Sequence, residues 1–247
     1  MKRVFESRKS NTFSLSVGVG DRDISTWEEE ASSLDYIIAN QTFPKATTKV
    51  LLGKNANPGN IRNTVESFAG RASVIDTMFF FFSGHGLPDS INLARGKSTL
   101  DYPKDNLFHD LSLFPGRRIV ILSSCHGGFQ SISPNTLLVT PSQQETHAFG
   151  RRFFVDVLHE FIDASHAPHA LTYLINSFLT NYHNRPYGPL NDRVWEQDPH
   201  HPDLDIYKVE KETGQILLMN YQRAFVLSSI LGDGTILRVD PKCYFPR

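Results

Sequence analysis

The sequence is poor in cysteine, in net charge and in long apolar runs, and each shortage excludes a class of protein. Its 247 residues include two cysteines, Cys125 and Cys243, which are too few for a disulfide framework. The 25 basic and 26 acidic residues give a net charge of −1, so no bulk attraction to nucleic acid or membranes is expected. No apolar run approaches the roughly 20 residues that span a bilayer. Residues 1–10 lack the apolar core of a secretory signal, so we expect a cytoplasmic protein.

A single domain is predicted over residues 1–247, because 40% of the residues are hydrophobic and that suffices for one core. Strand and helix patterns continue over about residues 12–182, which we interpret as the core of the domain. Residues 184–205 are rich in Pro, Asn, His and Asp, a composition that predicts an exposed loop. Residues 206–247 form a C-terminal extension, in which two β-hairpins are predicted.

Three runs of mainly apolar residues predict strands that are buried on both faces. Residues 77–82, 119–122 and 136–140 show no regular polar alternation, which is typical of a parallel sheet covered by helices. Residues 13–20 and 49–52 are predicted as two further strands. Apolar residues recur at helical spacing around these strands, at 26–38, 58–68, 107–114, 149–162 and 171–182. This alternation predicts an α/β fold, with an open, mostly parallel sheet and helices on both faces in three layers.

Two of the predicted buried strands end in short motifs that carry reactive side chains. Residues 83–86 read Ser-Gly-His-Gly, and residues 123–128 read Ser-Ser-Cys-His-Gly-Gly. In an open α/β sheet, ligands bind beyond the carboxyl ends of the strands. If the two strands are parallel neighbours, their ends lie about 5 Å apart, so the His85 imidazole and the Cys125 thiol come within reach of each other. This pair suits acyl transfer, because an imidazole can generate the attacking thiolate and protonate a leaving amine.

The residues around this pair have predicted roles of their own. The backbone N–H groups of Gly86 and Cys125 are candidates for an oxyanion hole. Gly86 also lets the backbone after His85 approach a substrate closely. His126 is a competing base, but adjacent side chains on extended backbone point apart, so we interpret it as a wall of the substrate pocket.

The two motifs, in this order and each after a buried strand, resemble those of the caspase/metacaspase/legumain superfamily of cysteine peptidases. The resemblance covers about residues 12–180. It implies a caspase-like fold and an endopeptidase that hydrolyses peptide bonds through a thioester acyl-enzyme. By matching position, it implies that His85 and Cys125 form the catalytic dyad. Ordinary buried cysteines are usually inert, so the partner motif is what favours catalysis.

One departure from the superfamily concerns the residue that the cleaved bond follows, P1. Many metacaspases and legumains have an acidic residue two places before the nucleophile, and caspases have glutamine. This sequence has Ser123, so no preference for a charged P1 side chain is carried over, and an uncharged or small P1 is favoured. Asp21 or Arg22 after the first strand, and Ser142 or Glu145 after residue 140, are candidates for restoring a charge to the pocket.

Two alternative functions stay open alongside hydrolysis. A catalytically silent caspase-like module would act by binding partners, although it would have no need of both His85 and Cys125. A transamidase would use the same acyl-enzyme and intercept it with an amine. No cofactor or metal is expected, since the loop histidines lack the spacing of a zinc site. The expected partner is a protein or peptide substrate, and a homodimer or a regulatory protein partner is left open.

Overall fold

The computed structural model describes residues 10–20, 26–95, 98–129, 132–141 and 150–182, together with three short strands nearer the C-terminus. The strands are β1 (Thr12–Gly18), β2 (Thr47–Leu52), β3 (Thr77–Ser83), β4 (Ser90–Arg95), β5 (Ser98–Pro103), β6 (Arg117–Ser123), β7 (Thr136–Thr140), β8 (Lys208–Val209), β9 (Ile216–Leu217) and β10 (Phe225–Ser228). The helices are α1 (Thr26–Ile37), α2 (Pro58–Ala69), α3 (Lys104–Leu111), α4 (Gly150–Ser165) and α5 (Ala170–Asn181). A π-helical turn (Ile38–Thr42) follows α1, and a 3-10 turn (Gly53–Asn55) follows β2. None of the described helices is long and apolar enough to cross a bilayer.

The main sheet has six strands in the order β10-β7-β6-β3-β1-β2. The five strands from β7 to β2 run parallel, and β10 joins the edge antiparallel to β7. The predicted open, mostly parallel α/β sheet is therefore confirmed. In the C-terminal extension, β8 and β9 form an antiparallel pair. Strand β10, in the same extension, extends the main sheet, and the second predicted hairpin involves residues outside the described part of the chain.

Strand β3 shows how the sheet is buried on both faces. Met78, Phe80 and Phe82 lie in one core cluster, with apolar residues of α2 and α3. Phe79 and Phe81 lie in a second cluster, with apolar residues of α1, α4 and α5. Successive side chains on a strand point to opposite faces, so a continuous apolar run is what two covered faces require. Helices therefore cover both faces of the sheet, in the three layers that the sequence predicted.

The order of the strands places a crevice at the carboxyl edge of the sheet. The chain passes from β1 to β2 on one side and then returns to lay β3 on the other side of β1. In such sheets the point where the strand order reverses is where ligands bind. Strand β3 pairs with β6 in parallel, and Ser83 lies opposite Ser123. The segments that follow these two strands therefore leave the sheet side by side and at the same level.

A hairpin between β3 and α3 was missing from the sequence-based interpretation. Strands β4 and β5 pair antiparallel in a separate two-stranded sheet. Ile91, Leu93 and Tyr102 are buried in the same cluster as α2 and α3. Helix α3 begins directly after β5, at Lys104 rather than at the predicted residue 107. The hairpin matters for the site because it lies against the segment that carries His85.

Candidate active site

Two segments meet at the carboxyl edge of the sheet, and we call them the His85 loop (residues 84–89) and the Cys125 loop (residues 124–128). Their contact is direct, since a Cβ atom added to Gly86 would lie 2.1 Å from the carbonyl oxygen of Cys125. The backbone N–H of Gly84 also donates to the carbonyl oxygen of Ser123, at 3.5 Å. The structure thus brings together the two loops that carry the candidate dyad.

His85 is exposed to solvent, and its position is fixed from two sides. The indole ring of Trp27, in the first turn of α1, meets the imidazole edge-to-face with 4.5 Å between ring centroids. The backbone N–H of Asn92, on β4, donates to the His85 carbonyl oxygen at 3.0 Å. Helix α1 therefore orients the ring, and the missed hairpin holds the backbone beneath it.

Gly86, whose backbone N–H is a predicted oxyanion donor, is held by a bridge to strand β4. Gly86 and Ile91 form an isolated antiparallel bridge, closed by the N–H groups of Asn92 and Leu87. The bridge therefore does not use the N–H of Gly86. Gly86 also lies against the carbonyl oxygen of Cys125, and the oxyanion role of the two backbone N–H groups stays a prediction.

Cys125 is half-buried and stands in a turn, with His126 as the next residue. His126 has φ 51°, which is left-handed backbone. The argument that Cys125 and His126 side chains diverge on extended backbone is therefore wrong, because the backbone turns here. Ser123, the last residue of β6, is only 2% exposed and lies within the sheet. Its role in the substrate pocket stays a prediction, as does that of His126.

A buried acid-hydroxyl pair beneath the site was missed by sequence reasoning. The hydroxyl of Ser83, at the end of β3, donates to Glu30 Oε2 at 2.5 Å, and both residues are buried. In the sequence, Glu30 is one of three consecutive glutamates near the start of α1, and nothing there indicates a buried carboxylate. Its neighbour by one helical turn is Trp27, so the same helix face contacts both the end of β3 and the imidazole of His85.

Lys104 was also missed, and it contacts both loops. Its side chain is completely buried, and Nζ donates to the carbonyl oxygen of Pro88 at 2.7 Å and to that of Gly128 at 3.3 Å. Nζ also donates to the carbonyl oxygen of His126. Burial lowers the pKa of Lys104 to about 8, and the carboxylate of Asp89 opposes that shift. An ammonium group thus lies directly behind the two loops.

Four residues predicted to shape the pocket lie outside the part of the chain that the structure describes. They are Asp21, Arg22, Ser142 and Glu145, and their roles stay predictions. The predicted loop at 184–205 lies outside it as well. Within the described residues, no group of three or more His, Cys, Asp or Glu side chains could hold a metal ion.

No protein-family model and no curated protein matches this sequence. Among solved structures, caspase-1 from Spodoptera frugiperda is 13% identical, with a TM-score of 0.49 over 89% of this chain and 86% of that one. The Drosophila initiator caspase Dronc is 11% identical, with a TM-score of 0.45 over 68% of this chain and 70% of that one. Protein GSU0716 from Geobacter sulfurreducens is 15% identical, with a TM-score of 0.43 over 65% and 89%.

Two of these three structures are caspases, from the superfamily that the two motifs resemble. The likeness is one of fold alone, and the case for chemistry depends on the two loops. There, an exposed histidine and a half-buried cysteine share one edge of the sheet. Such an arrangement suits attack on a carbonyl carbon with proton transfer to the leaving group.

Proposed function

We propose that this chain is a cysteine endopeptidase that acts through a Cys125/His85 dyad. The observation that carries the proposal is the contact between the two loops. The register of β3 with β6 sets Ser83 opposite Ser123, and Gly86 lies against the carbonyl group of Cys125. A thiol and an imidazole carried on adjoining strand ends are the nucleophile and base that acyl transfer requires.

In the proposed first step, the Cys125 thiolate attacks the carbonyl carbon of the scissile peptide, and the carbonyl oxygen takes the negative charge. The N–H groups of Gly86 and Cys125 stabilise that oxyanion. The C–N bond then breaks, and the His85 imidazolium gives its proton to the leaving amine. Water attacks the thioester while His85 accepts its proton, which releases the carboxylic acid and restores the thiolate–imidazolium pair.

The proposed substrate is a peptide with an uncharged or small P1 side chain. Ser123 brings no charge to the position that is acidic in many metacaspases and in legumains. A peptide library diversified at P1 therefore tests both activity and specificity. We expect cleavage after uncharged residues to exceed cleavage after Arg, Lys or Asp.

The dyad is tested by cleavage of that library and by covalent labelling with a thiol-reactive peptide probe. Cys125→Ala is expected to abolish labelling and to reduce cleavage at least about a thousandfold. Cys243→Ala is the matched control, since it removes the other thiol of the chain, and it is expected to retain wild-type rates.

The base is tested with the two histidines that the motifs contain. His85→Gln is expected to lower kcat by about 10²–10⁴-fold, the usual contribution of a general acid–base group. His126→Asn tests the competing base, because Asn tolerates the left-handed backbone of residue 126, and a smaller loss of kcat than in His85→Gln is expected. Full cleavage by Cys125→Ala would refute the mechanism. A wild-type chain that neither cleaves nor labels would favour the partner-binding module, and a product mass that includes an added amine would favour the transamidase.

A further inference from the structure

Lys104 occupies a position that opposes the ordinary preferences of a lysine. Its side chain has no exposed surface, although burial disfavours an ammonium group. It is also the first residue of α3, at the helix end whose partial positive charge repels a cation. A charged group kept in such a place needs partners that compensate for both effects.

The partners of Lys104 are backbone carbonyls of the His85 loop and the Cys125 loop. Nζ donates to Pro88 in the first loop, and to His126 and Gly128 in the second. An ammonium group has three N–H donors, so these contacts use its full capacity. The backbone N–H of Lys104 adds a bond to the carbonyl oxygen of Asp89, at 2.8 Å. Lys104 therefore binds backbone carbonyl groups that follow His85 closely in one loop and Cys125 closely in the other.

These bonds act where the sheet no longer holds the chain. The paired register ends at Ser83 and Ser123, so both loops lie beyond the strand ladder. The left-handed backbone of His126 is unfavourable for a residue with a Cβ atom, and it requires support from its surroundings. The contact of its carbonyl oxygen with Lys104 supplies such support.

We propose that Lys104 is a positioning residue that holds the Cys125 loop against the His85 loop and so fixes the thiol relative to the imidazole. This inference rests on the proposed peptidase function, and it names the internal support of that same site. Lys104 touches neither the substrate nor the reacting atoms. Its effect on catalysis follows from geometry, because a misplacement of about 1 Å can lower a rate about 100-fold.

The charge state of Lys104 gives the proposal a signature in pH. Its pKa of about 8 means that the ammonium loses a proton just above neutral pH, and a neutral amine keeps only two N–H donors. One bond to the loops is then lost. The other ionisable side chains on the loops and on the adjoining ends of β5 and α3 are His85, Asp89, Asp101, Tyr102, Asp105, Cys125 and His126.

A matched control exists at the opposite edge of the sheet. Arg118, at the start of β6, is also buried, and it donates to the carbonyl oxygens of Ser112 and Phe114 at 3.2 and 3.0 Å. It donates to Pro134 as well. Arg118 and Lys104 are therefore both buried cations that bind loop carbonyls. Arg118 lies about 20 Å from Cys125, at the other end of the strand.

The experiment compares Lys104→Met with Arg118→Met in a Cys243→Ala background, so that Cys125 is the one thiol present. Three quantities are measured: the melting temperature, the pH midpoint of Cys125 alkylation by iodoacetamide, and kcat and KM for peptide cleavage. Both variants are expected to lower the melting temperature. Lys104→Met alone is expected to move the alkylation midpoint up by about one unit, and to lower kcat about 100-fold with less than a threefold change in KM.

Lys104→Arg provides a second measurement if Lys104→Met does not fold. Arginine keeps its charge at all relevant pH values, so this variant should lack the decline in kcat that we expect of the wild type above about pH 8. Two outcomes would overturn the inference. One is a Lys104→Met variant whose alkylation midpoint and kcat match those of Arg118→Met. The other is an alkaline decline shared by the wild type and Lys104→Arg. If no peptide is cleaved while the midpoint still responds to Lys104, the peptidase proposal fails and the positioning role stands.

Discussion

Substituting Gly86 by alanine perturbs the contact between the two loops most directly. The new Cβ atom would lie 2.1 Å from the carbonyl oxygen of Cys125 and 2.9 Å from the hydroxyl oxygen of Ser124. Cβ atoms in real structures essentially never approach other atoms closer than 3.0 Å. Because the nearest obstacle is backbone, a side-chain rotation cannot relieve the overlap. The loops must therefore separate by about 0.9 Å, the difference between 3.0 and 2.1 Å.

That separation has two calculable consequences. Overpacking of this kind destabilises a fold by about 1–3 kcal/mol. A displacement near 1 Å between nucleophile and base lowers the rate of the chemical step about 100-fold. We therefore expect Gly86→Ala to unfold at lower urea concentration and to lose about two orders of magnitude in kcat/KM for peptide cleavage.

Gly116→Ala is the control that separates loss of stability from loss of catalytic rate. Its Cβ atom would also lie 2.1 Å from a backbone oxygen, that of Asp76, but at the amino end of β6. The same overlap thus arises at the edge of the sheet that carries no candidate catalytic group. Urea unfolding should show comparable losses for the two variants, whereas kcat/KM should fall for Gly86→Ala alone. Equal kcat/KM for the two variants at equal loss of stability would refute the reasoning.

Two further predictions concern buried carboxylates. Ser83→Ala removes the hydroxyl that donates to Glu30 at 2.5 Å, and we expect urea unfolding to show a loss of about 1–3 kcal/mol; unchanged stability would contradict the bond. Asp76 is buried, which opposes its charged form, but hydrogen bonds from Asn11 and Ser73 outweigh this and hold its pKa below the ordinary 3.8. Because the folded pKa is lowered, the Asp76 carboxylate stabilises the fold at pH values above 3.8. This stabilisation is lost as the pH falls through the folded pKa. The difference in stability between wild type and Asp76→Asn should therefore close in acid. A gap that stays constant from neutral pH to below pH 3.8 would contradict this.

The sheet could be predicted from the sequence because buried strand positions require apolar residue types. A strand covered on both faces needs apolar side chains at every position, and β3 meets that need with residues 78–82. That β3 and β6 are neighbours was a condition of the site prediction, and their parallel pairing, with Ser83 opposite Ser123, meets it. By contrast, the β4–β5 hairpin was missed although Ile91 and Leu93 alternate with polar residues, because the surrounding polar segment masked a strand of half-buried type.

Lys104 could not be predicted from sequence for a different reason. Its partners are backbone carbonyls at residues 88, 126 and 128. Every residue has a backbone carbonyl, so the sequence does not indicate which of them bind a lysine. A lysine just before a predicted helix is ordinarily a solvated side chain. Only the folded path of the chain brings it behind both loops. The sequence therefore predicted the candidate reacting groups, whereas the lysine behind both loops became visible in the structure.

Two contacts hold the loops of the candidate dyad together, and one is steric whereas the other depends on hydrogen bonds from a charged group. Gly86 brings the backbones together because it has no side chain, so the contact is steric and independent of pH. Lys104 binds the same two loops through three donors, so its contribution depends on charge. Neither contact involves the thiol or the imidazole itself. The geometry of Cys125 relative to His85 is therefore a property of the loop backbones, and substitutions that leave both side chains intact are the ones that test it.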